Sequence, residues 1–174
     1  MTTSTFKEVT ILWKEDKRKW VKKSTFATYV NHVNKRLLPY FGTKSPGEIT
    51  EALVQDYVSQ MLPNLGTGTV RDSVMILRMI LRYGGKHCGW PEIKFDIRYP
   101  TSAEPTREVP VLKPSDQKKL LAYLDGNFSF RNLGLLICLQ TGLRIGEVCG
   151  LQWKDLDVDG GVVHITKTVQ RIWM

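Results

Sequence analysis

The stretch LQTGLRIGEVCGLQWKDLDVDGGVVHIT, residues 139–166, decides how the chain is to be read. It starts inside an apolar run, LGLLICLQ (133–140), that is hydrophobic nearly all round and predicts a buried helix. Gly142 suits the residue that ends such a helix. Arg144, Val148 and Leu151 then have the spacing of a second, short helix, with Glu147 one turn beyond Arg144. GGVVHIT (160–166) alternates after a Gly-Gly turn and predicts a strand. Arg144 is the odd residue, because Leu143, Ile145, Val148 and Leu151 around it are not the neighbours of a wet surface.

Upstream, RYPTSAEPTREVPVLKP (98–114) has prolines at 100, 105, 110 and 114 and no helical period, so it reads as an extended linker. Pro114 then suits the first turn of a helix through KPSDQKKLLAYL. Four helical segments precede the linker. The first, about 5–20, places Phe6, Val9, Trp13 and Trp20 on one side. The second opens at Ser24 as N-cap and carries Phe26, Val30, Val33 and Leu37 as far as Pro39. The third opens at Thr50, where Ile49 and Val54 have the spacing of a hydrophobic staple. The fourth, 67–83, turns Val70, Val74, Leu77 and Leu81 inward and stops at Gly84-Gly85. The expected organisation is a helical domain over 1–99, a linker over 100–112 and the start of an α+β domain over 113–174, with an incipient antiparallel hairpin.

Charge is distributed unevenly. Residues 1–100 hold 16 Lys and Arg against 9 Asp and Glu, whereas residues 101–174 hold 9 against 8, out of a net charge of +8. A basic domain joined to a near-neutral one points to a polyanion. KEDKRKWVKK (14–23) sets six basic residues around Trp20, among them Lys19, Lys22 and Lys23. Arg71, Arg78 and Arg82 recur at seven and four residues, forming one stripe opposite the apolar face. Helix N-termini at Ser24-Thr25 and at Thr67, with Thr69 close by, add backbone N–H donors for phosphate. The competing reading is a merely solvated charged face; two such features in one basic domain favour nucleic acid.

Other classes are disfavoured. No apolar run reaches the ~18 residues of a membrane span, and the first ten residues are no signal peptide. Cys88, Cys138 and Cys149 form no CxxC pair, and His32, His87 and His164 are scattered, so neither a disulfide framework nor a metal site is expected. A reducing cytoplasm fits best.

The 139–166 stretch resembles the first signature of the tyrosine recombinases, the phage-integrase family. STFATYVNHVNKRLLPYFG (24–42), EITEALVQDYV (48–58) and GTGTVRDSVMILRMILRYGGKHCGW (66–90) are similar to that family's core-type DNA-binding domain, nearest to integrases of conjugative transposons and Gram-positive phages. The resemblance implies a mainly α protein: a four-helix SAM-like bundle, the proline-rich linker, and the front of the α+β catalytic domain. It implies that Arg144 is the first active-site arginine, which holds the scissile phosphate. Its planar fork donates two hydrogen bonds and stays charged at any working pH. Glu147 matches the family's acidic position and is read as supporting the turn or the guanidinium. Lys167 is a candidate for the family's hairpin lysine, although related integrases place that lysine in the next turn.

The family reaction also needs a nucleophilic tyrosine, a His-x-x-Arg pair and a further His or Trp. No tyrosine follows Tyr123, and HITK (164–167) lies too soon after Arg144 to be the histidine box. The expectation is therefore a DNA-binding fragment of a site-specific recombinase, one that in full length cuts and rejoins DNA through a 3′-phosphotyrosyl link and is inactive as these residues alone. The alternative is a non-catalytic regulator, or truncated integrase, that occupies attachment sites. Duplex DNA is the expected partner, with self-association in a full-length synaptic complex. No cofactor, metal, membrane or small-molecule substrate is expected. The strand residues 160–174 are expected to leave an unpaired apolar edge, a further route to self-association.

Overall fold

The computed structural model describes residues 4–100 and 110–172. The chain divides into two compact units between Ala103 and Glu104. Most of the proline-rich stretch read as a linker lies outside the described residues, as does Trp173 of the expected apolar edge.

The first unit is a helical bundle. Helix α1 (Phe6–Trp20) starts at Thr5, whose hydroxyl accepts from the Glu8 backbone while the Glu8 carboxylate accepts from the Thr5 N–H at 2.7 Å, a reciprocal cap. Helix α2 (Lys23–His32) runs through a π turn (Val33–Leu37) into α3 (Leu38–Phe41). Pro39 was expected to end this helix and does not. Proline lacks an N–H and its ring crowds the carbonyl four residues back. The wider turn, with the Leu38 N–H on the Val33 carbonyl, lets the helix continue past it. Ser24 is not the N-cap either: α2 begins two residues earlier, behind Lys22, with no side-chain cap.

Helix α4 (Glu51–Met61) is capped by the Thr50 hydroxyl, with Ile49 and Val54 both buried. Helix α5 (Thr67–His87) buries Val70, Val74, Leu77 and Leu81 as the periodicity requires, together with Ile76 and Ile80. It runs on through Gly84-Gly85 instead of stopping there. Trp90 folds back onto it, and a Cβ at position 84 would lie 2.9 Å from the Trp90 ring. The indole N–H of Trp90 donates to Ser4 Oγ at 3.0 Å. Phe41 meets Phe6 and Tyr57 at the centre in tilted contacts, with ring centroids 5.9 Å and 5.1 Å apart. Inside, Ser73 Oγ of α5 lies 2.9 Å from His32 Nδ1 of α2 and 3.0 Å from the Thr69 carbonyl, a polar link between the two helices.

In the second unit, α6 (Pro114–Gly126) opens with Pro114 in its first turn, and α7 (Phe130–Thr141) ends at Gly142 in the left-handed conformation, φ 72°. Helix α8 (Ile145–Val148) follows, then β1 (Leu156–Asp157) and β2 (Val162–Val163), an antiparallel pair with Leu156 opposite Val163. Gly161, φ 65°, makes the hairpin turn. The expectation that 133–140 forms a buried helix fails: α7 has no buried residue, and Leu133, Leu135 and Leu139 are 38%, 41% and 37% exposed. Tyr123 of α6 is 61% exposed, and Leu124 beside it is the buried residue.

Two substitutions in adjacent residues should act in opposite directions. Gly84→Ala forces a methyl into the Trp90 ring and should destabilise the bundle by about 1–3 kcal/mol. Gly85→Ala meets only ordinary contacts at 3.7 Å and should stabilise it by about 0.5–1 kcal/mol through reduced unfolded-chain freedom. Urea unfolding of both variants, with equal signs, would refute the assignment.

Burial, and then Arg36, lower the His32 pKa below its ordinary 6.5, with Asp72 opposing. A depressed folded value means that its stability contribution is complete above 6.5 and is lost as pH falls through the folded value. The bundle should unfold more easily at pH 5 than at pH 7, and His32→Gln should flatten that difference in urea midpoints.

Candidate nucleic-acid interface

The basic residues gather in two places on the helical unit. The first is the corner between α1 and α2. Lys19, Lys22 and Lys23 are exposed there, and Ser24 and Thr25 lie half-buried in the first turn of α2. Because no side chain caps that turn, the backbone N–H groups at its start are free of a capping partner. Of the six cations in 14–23, Lys14 is committed elsewhere: its Nζ donates to Asn34 Oδ1 at 2.7 Å. Trp20 at the same corner is 76% exposed, not in line with the buried Phe6, Val9 and Trp13 as the periodicity implied. The bundle ends before the stripe does.

The second place is the outer face of α5. Thr67 and Thr69 are half-buried in its first turn, which begins behind Gly66 without a side-chain cap. Arg71, Arg78 and Arg82 are exposed, as the stripe requires. Two of them also hold the chain itself. Residues 91–99 run back along the bundle as an extended strap. Arg71 lies over the Tyr99 ring at 4.8 Å and Arg78 over the Phe95 ring at 5.0 Å, and Arg78 also donates to the Phe95 carbonyl at 3.1 Å. Gln55 makes a two-way bond with the Arg98 backbone, both at 3.0 Å, and the Glu51 carboxylate accepts from the Asp96 N–H. Ile97 is buried in the core. Arg98 and Tyr99, read as the beginning of the linker, are thus bound to the bundle.

Between α5 and the strap lies a groove of ≈ 550 Å³ lined by Arg78, Arg82, Lys86, Lys94, Trp90 and Phe95. Lys86 extends the 78–82 spacing by four residues. It escaped notice because the helix was expected to stop at Gly84. Lys94 carried no sequence signal; only the folded strap brings it to the groove, where it pairs with Glu92 at 3.0 Å.

In the second unit, Arg144 stands immediately before α8. The Glu147 carboxylate accepts from the Arg144 backbone N–H at 2.9 Å and from its Nη1 at 3.4 Å. One carboxylate therefore fixes both the turn and the guanidinium. Despite its apolar sequence neighbours, the Arg144 side chain is 87% exposed, and its Nε and second terminal nitrogen have no partner among the described residues. Glycines shape the surroundings. The Val169 N–H donates to the Gly146 carbonyl at 2.8 Å, and a Cβ at position 146 would come within 2.7 Å of Thr168 Oγ1. The 167–169 segment is thereby held against α8. Lys167 Nζ lies 3.8 Å from Oδ2 of the buried Asp155, so the lysine is engaged by an ion pair beside the arginine-bearing helix.

Among the described residues no cluster of His, Cys, Asp or Glu is placed to hold a metal ion, and no helix is long and apolar enough to cross a membrane.

Two family descriptions match this chain: phage integrase, N-terminal SAM-like domain, over residues 5–62, and phage integrase family, over residues 110–173. The tyrosine recombinase XerC of Xanthomonas axonopodis pv. citri (strain 306) is 34% identical over 62 residues, 34% of this chain and 20% of that protein. XerC of Xanthomonas campestris pv. campestris (strain B100) is likewise 34% identical over 62 residues, 34% of this chain and 19% of its own length. Among solved structures, the Tn1549 transposon integrase in complex with circular intermediate DNA superposes with a TM-score of 0.75 at 20% identity, covering 94% of this chain and 54% of that one. The same integrase in complex with transposon right end DNA gives 0.73 at 19% identity, covering 97% and 54%. The chain thus spans about half of those structures and matches a fifth of the curated relatives. With both family descriptions in chain order and the fold in agreement, the chain belongs to the phage-integrase family of tyrosine recombinases.

Proposed function

We propose that these residues form the duplex-DNA-binding portion of a site-specific tyrosine recombinase that works in the cytoplasm without a cofactor, with residues 1–99 and 113–174 as its two DNA-contacting domains. Arg144 is the residue that grips the scissile phosphate. The observation that carries this reading is the Arg144–Glu147 arrangement: a guanidinium anchored by one carboxylate, exposed to solvent, with donors left over. A planar cation so presented can bind phosphate oxygens and offset charge that develops on them during strand transfer. Glu147 acts as its support, and Lys167 as a nearby cation already paired with Asp155. The DNA backbone is taken by Lys19, Lys22, Lys23, the first turns at Ser24-Thr25 and Thr67–Thr69, and Arg71, Arg78 and Arg82. An arginine stacked on a ring by one face, as Arg71 and Arg78 are, keeps N–H donors along its edges for a phosphate.

Five of the six tyrosines, all but Tyr123, lie in the core of the helical unit or against it. Tyr57 is in the core, and Tyr29, Tyr40 and Tyr83 pack against it. The Tyr40 phenol is pushed up to about 12 by burial and by its hydrogen bond to Asp56, the opposite of activation. A second reading is a regulator that occupies sites without cutting, which the exposed cations of the helical unit would serve equally.

Binding to duplex DNA should weaken steeply with salt, by roughly 0.9 in log–log slope per neutralised phosphate. Arg82→Ala should lower the slope by about one such increment, and Arg71→Ala with Arg78→Ala by about two. A titration with unchanged slopes would remove these arginines from the interface.

The chemistry can be tested on a nicked suicide substrate. The 174 residues should bind it and leave no denaturant-resistant adduct, which a gel would reveal. In a protein that joins these residues to a recombinase nucleophile, Arg144→Ala should reduce trapping on the order of 10²-fold or more. Undiminished trapping would sink the role given to Arg144, and trapping by the 174 residues alone would sink the regulator reading.

A further inference from the structure

Trp20 is the least expected side chain on the bundle. It ends α1 and continues the stripe of Phe6, Val9 and Trp13, all of them buried, yet it is 76% exposed. The ring is also oriented: its indole N–H donates to Asp16 Oδ1, one turn back, at 3.2 Å. Straight after it the backbone becomes extended at Val21, φ −124° and ψ 155°, and α2 starts at Lys23. The indole therefore stands at a corner with Lys19, Lys22 and Lys23 on either side in the chain, all exposed. An apolar-lined hollow of ≈ 260 Å³ formed by Arg18, Val21, Lys23 and Phe26 opens at the same corner.

A protein partner for a bare tryptophan would present an apolar surface with few like charges around it. This corner instead surrounds the ring with cations, which matches the chemistry of a nucleic-acid backbone: phosphates at regular spacing, with weakly polar sugar C–H surfaces between them. We propose that Trp20 is a DNA-positioning residue. Its ring face packs on the deoxyribose edge of the duplex, while Lys19, Lys22 and Lys23 hold the flanking phosphates. The inference rests on the DNA-binding reading and adds to it a contact that does not depend on charge. Asp16, by holding the indole N–H, keeps the ring in one orientation and screens none of the three lysines through an ion pair.

The two kinds of contact separate in a salt titration. Affinity of the 174-residue chain for labelled duplex DNA, followed by fluorescence anisotropy from low to high salt, is measured for the natural sequence, Trp20→Ala, Trp20→Phe, and Lys22→Ala with Lys23→Ala. Trp20→Ala should weaken binding about tenfold at every salt concentration and leave the slope unchanged, as loss of aromatic packing does. Trp20→Phe should recover most of the affinity. The lysine pair should lower the slope by roughly 1.8, two increments of about 0.9. Because Trp20 is so exposed, neither Trp20 variant should alter the thermal transition. The proposal is overturned if Trp20→Ala binds within twofold of the natural sequence, or if its deficit shows as a changed slope. Salt-sensitive binding that ignores Trp20 defeats this proposal alone and would turn the corner over to a protein partner. No duplex binding by the natural sequence defeats the DNA reading and this one together.

Discussion

Helix α5 must bury one continuous apolar stripe, and the first unit is arranged around that need. Val70, Val74, Leu77, Ile80 and Leu81 are all buried, each contributing about 1.5–3 kcal/mol of transfer energy against the ordering of the chain. Helices α1, α2 and α4 and the π turn all pack on this helix. Its opposite face carries the arginines, with Met75, 48% exposed, between Arg71 and Arg78. The strap 91–99 returns along the same helix and adds Trp90 and Ile97 to the core. Fold and charge display are in this sense one constraint: the helix that organises the core is also the one whose outer face carries the cations.

Features governed by local chemistry could be read before folding. The stripe on α5, the Thr50 cap with Ile49 and Val54, the Pro114 start and the Gly142 stop each depend on a few neighbouring residues. Features governed by distant residues could not. Gly84-Gly85 looks like a helix end, but Trp90 lies against Gly84 and the helix passes through. Pro39 looks like a stop, but a wider turn absorbs it. Trp20 has the spacing of a core residue, yet periodicity does not say where the neighbouring helices run out. The apolar run in α7 has the composition of a buried helix, and composition does not supply the surface that would bury it.

The candidate site divides along the same line. Arg144 and Glu147 are three residues apart, so their pairing follows from one helical turn. The exposure of Arg144 did not, since its apolar sequence neighbours suggested the reverse. Arg71 and Arg78 were legible as a stripe, but their contacts with Tyr99 and Phe95 required the strap. These two arginines serve cohesion and display together, so the effect of replacing them belongs partly to each.

The double grip of Glu147 on Arg144 has a thermodynamic consequence. A free arginine side chain holds about 2 kcal/mol of rotamer entropy, which is lost when an anion fixes it in place. Glu147 removes part of that freedom through its contact with one terminal nitrogen, 3.4 Å away. On the proposed reading, an incoming phosphate would meet a side chain whose disorder is partly gone, leaving more of the contact enthalpy as affinity. The same carboxylate caps the first turn of α8, so its loss would be felt in the local fold as well as in the poise of the guanidinium.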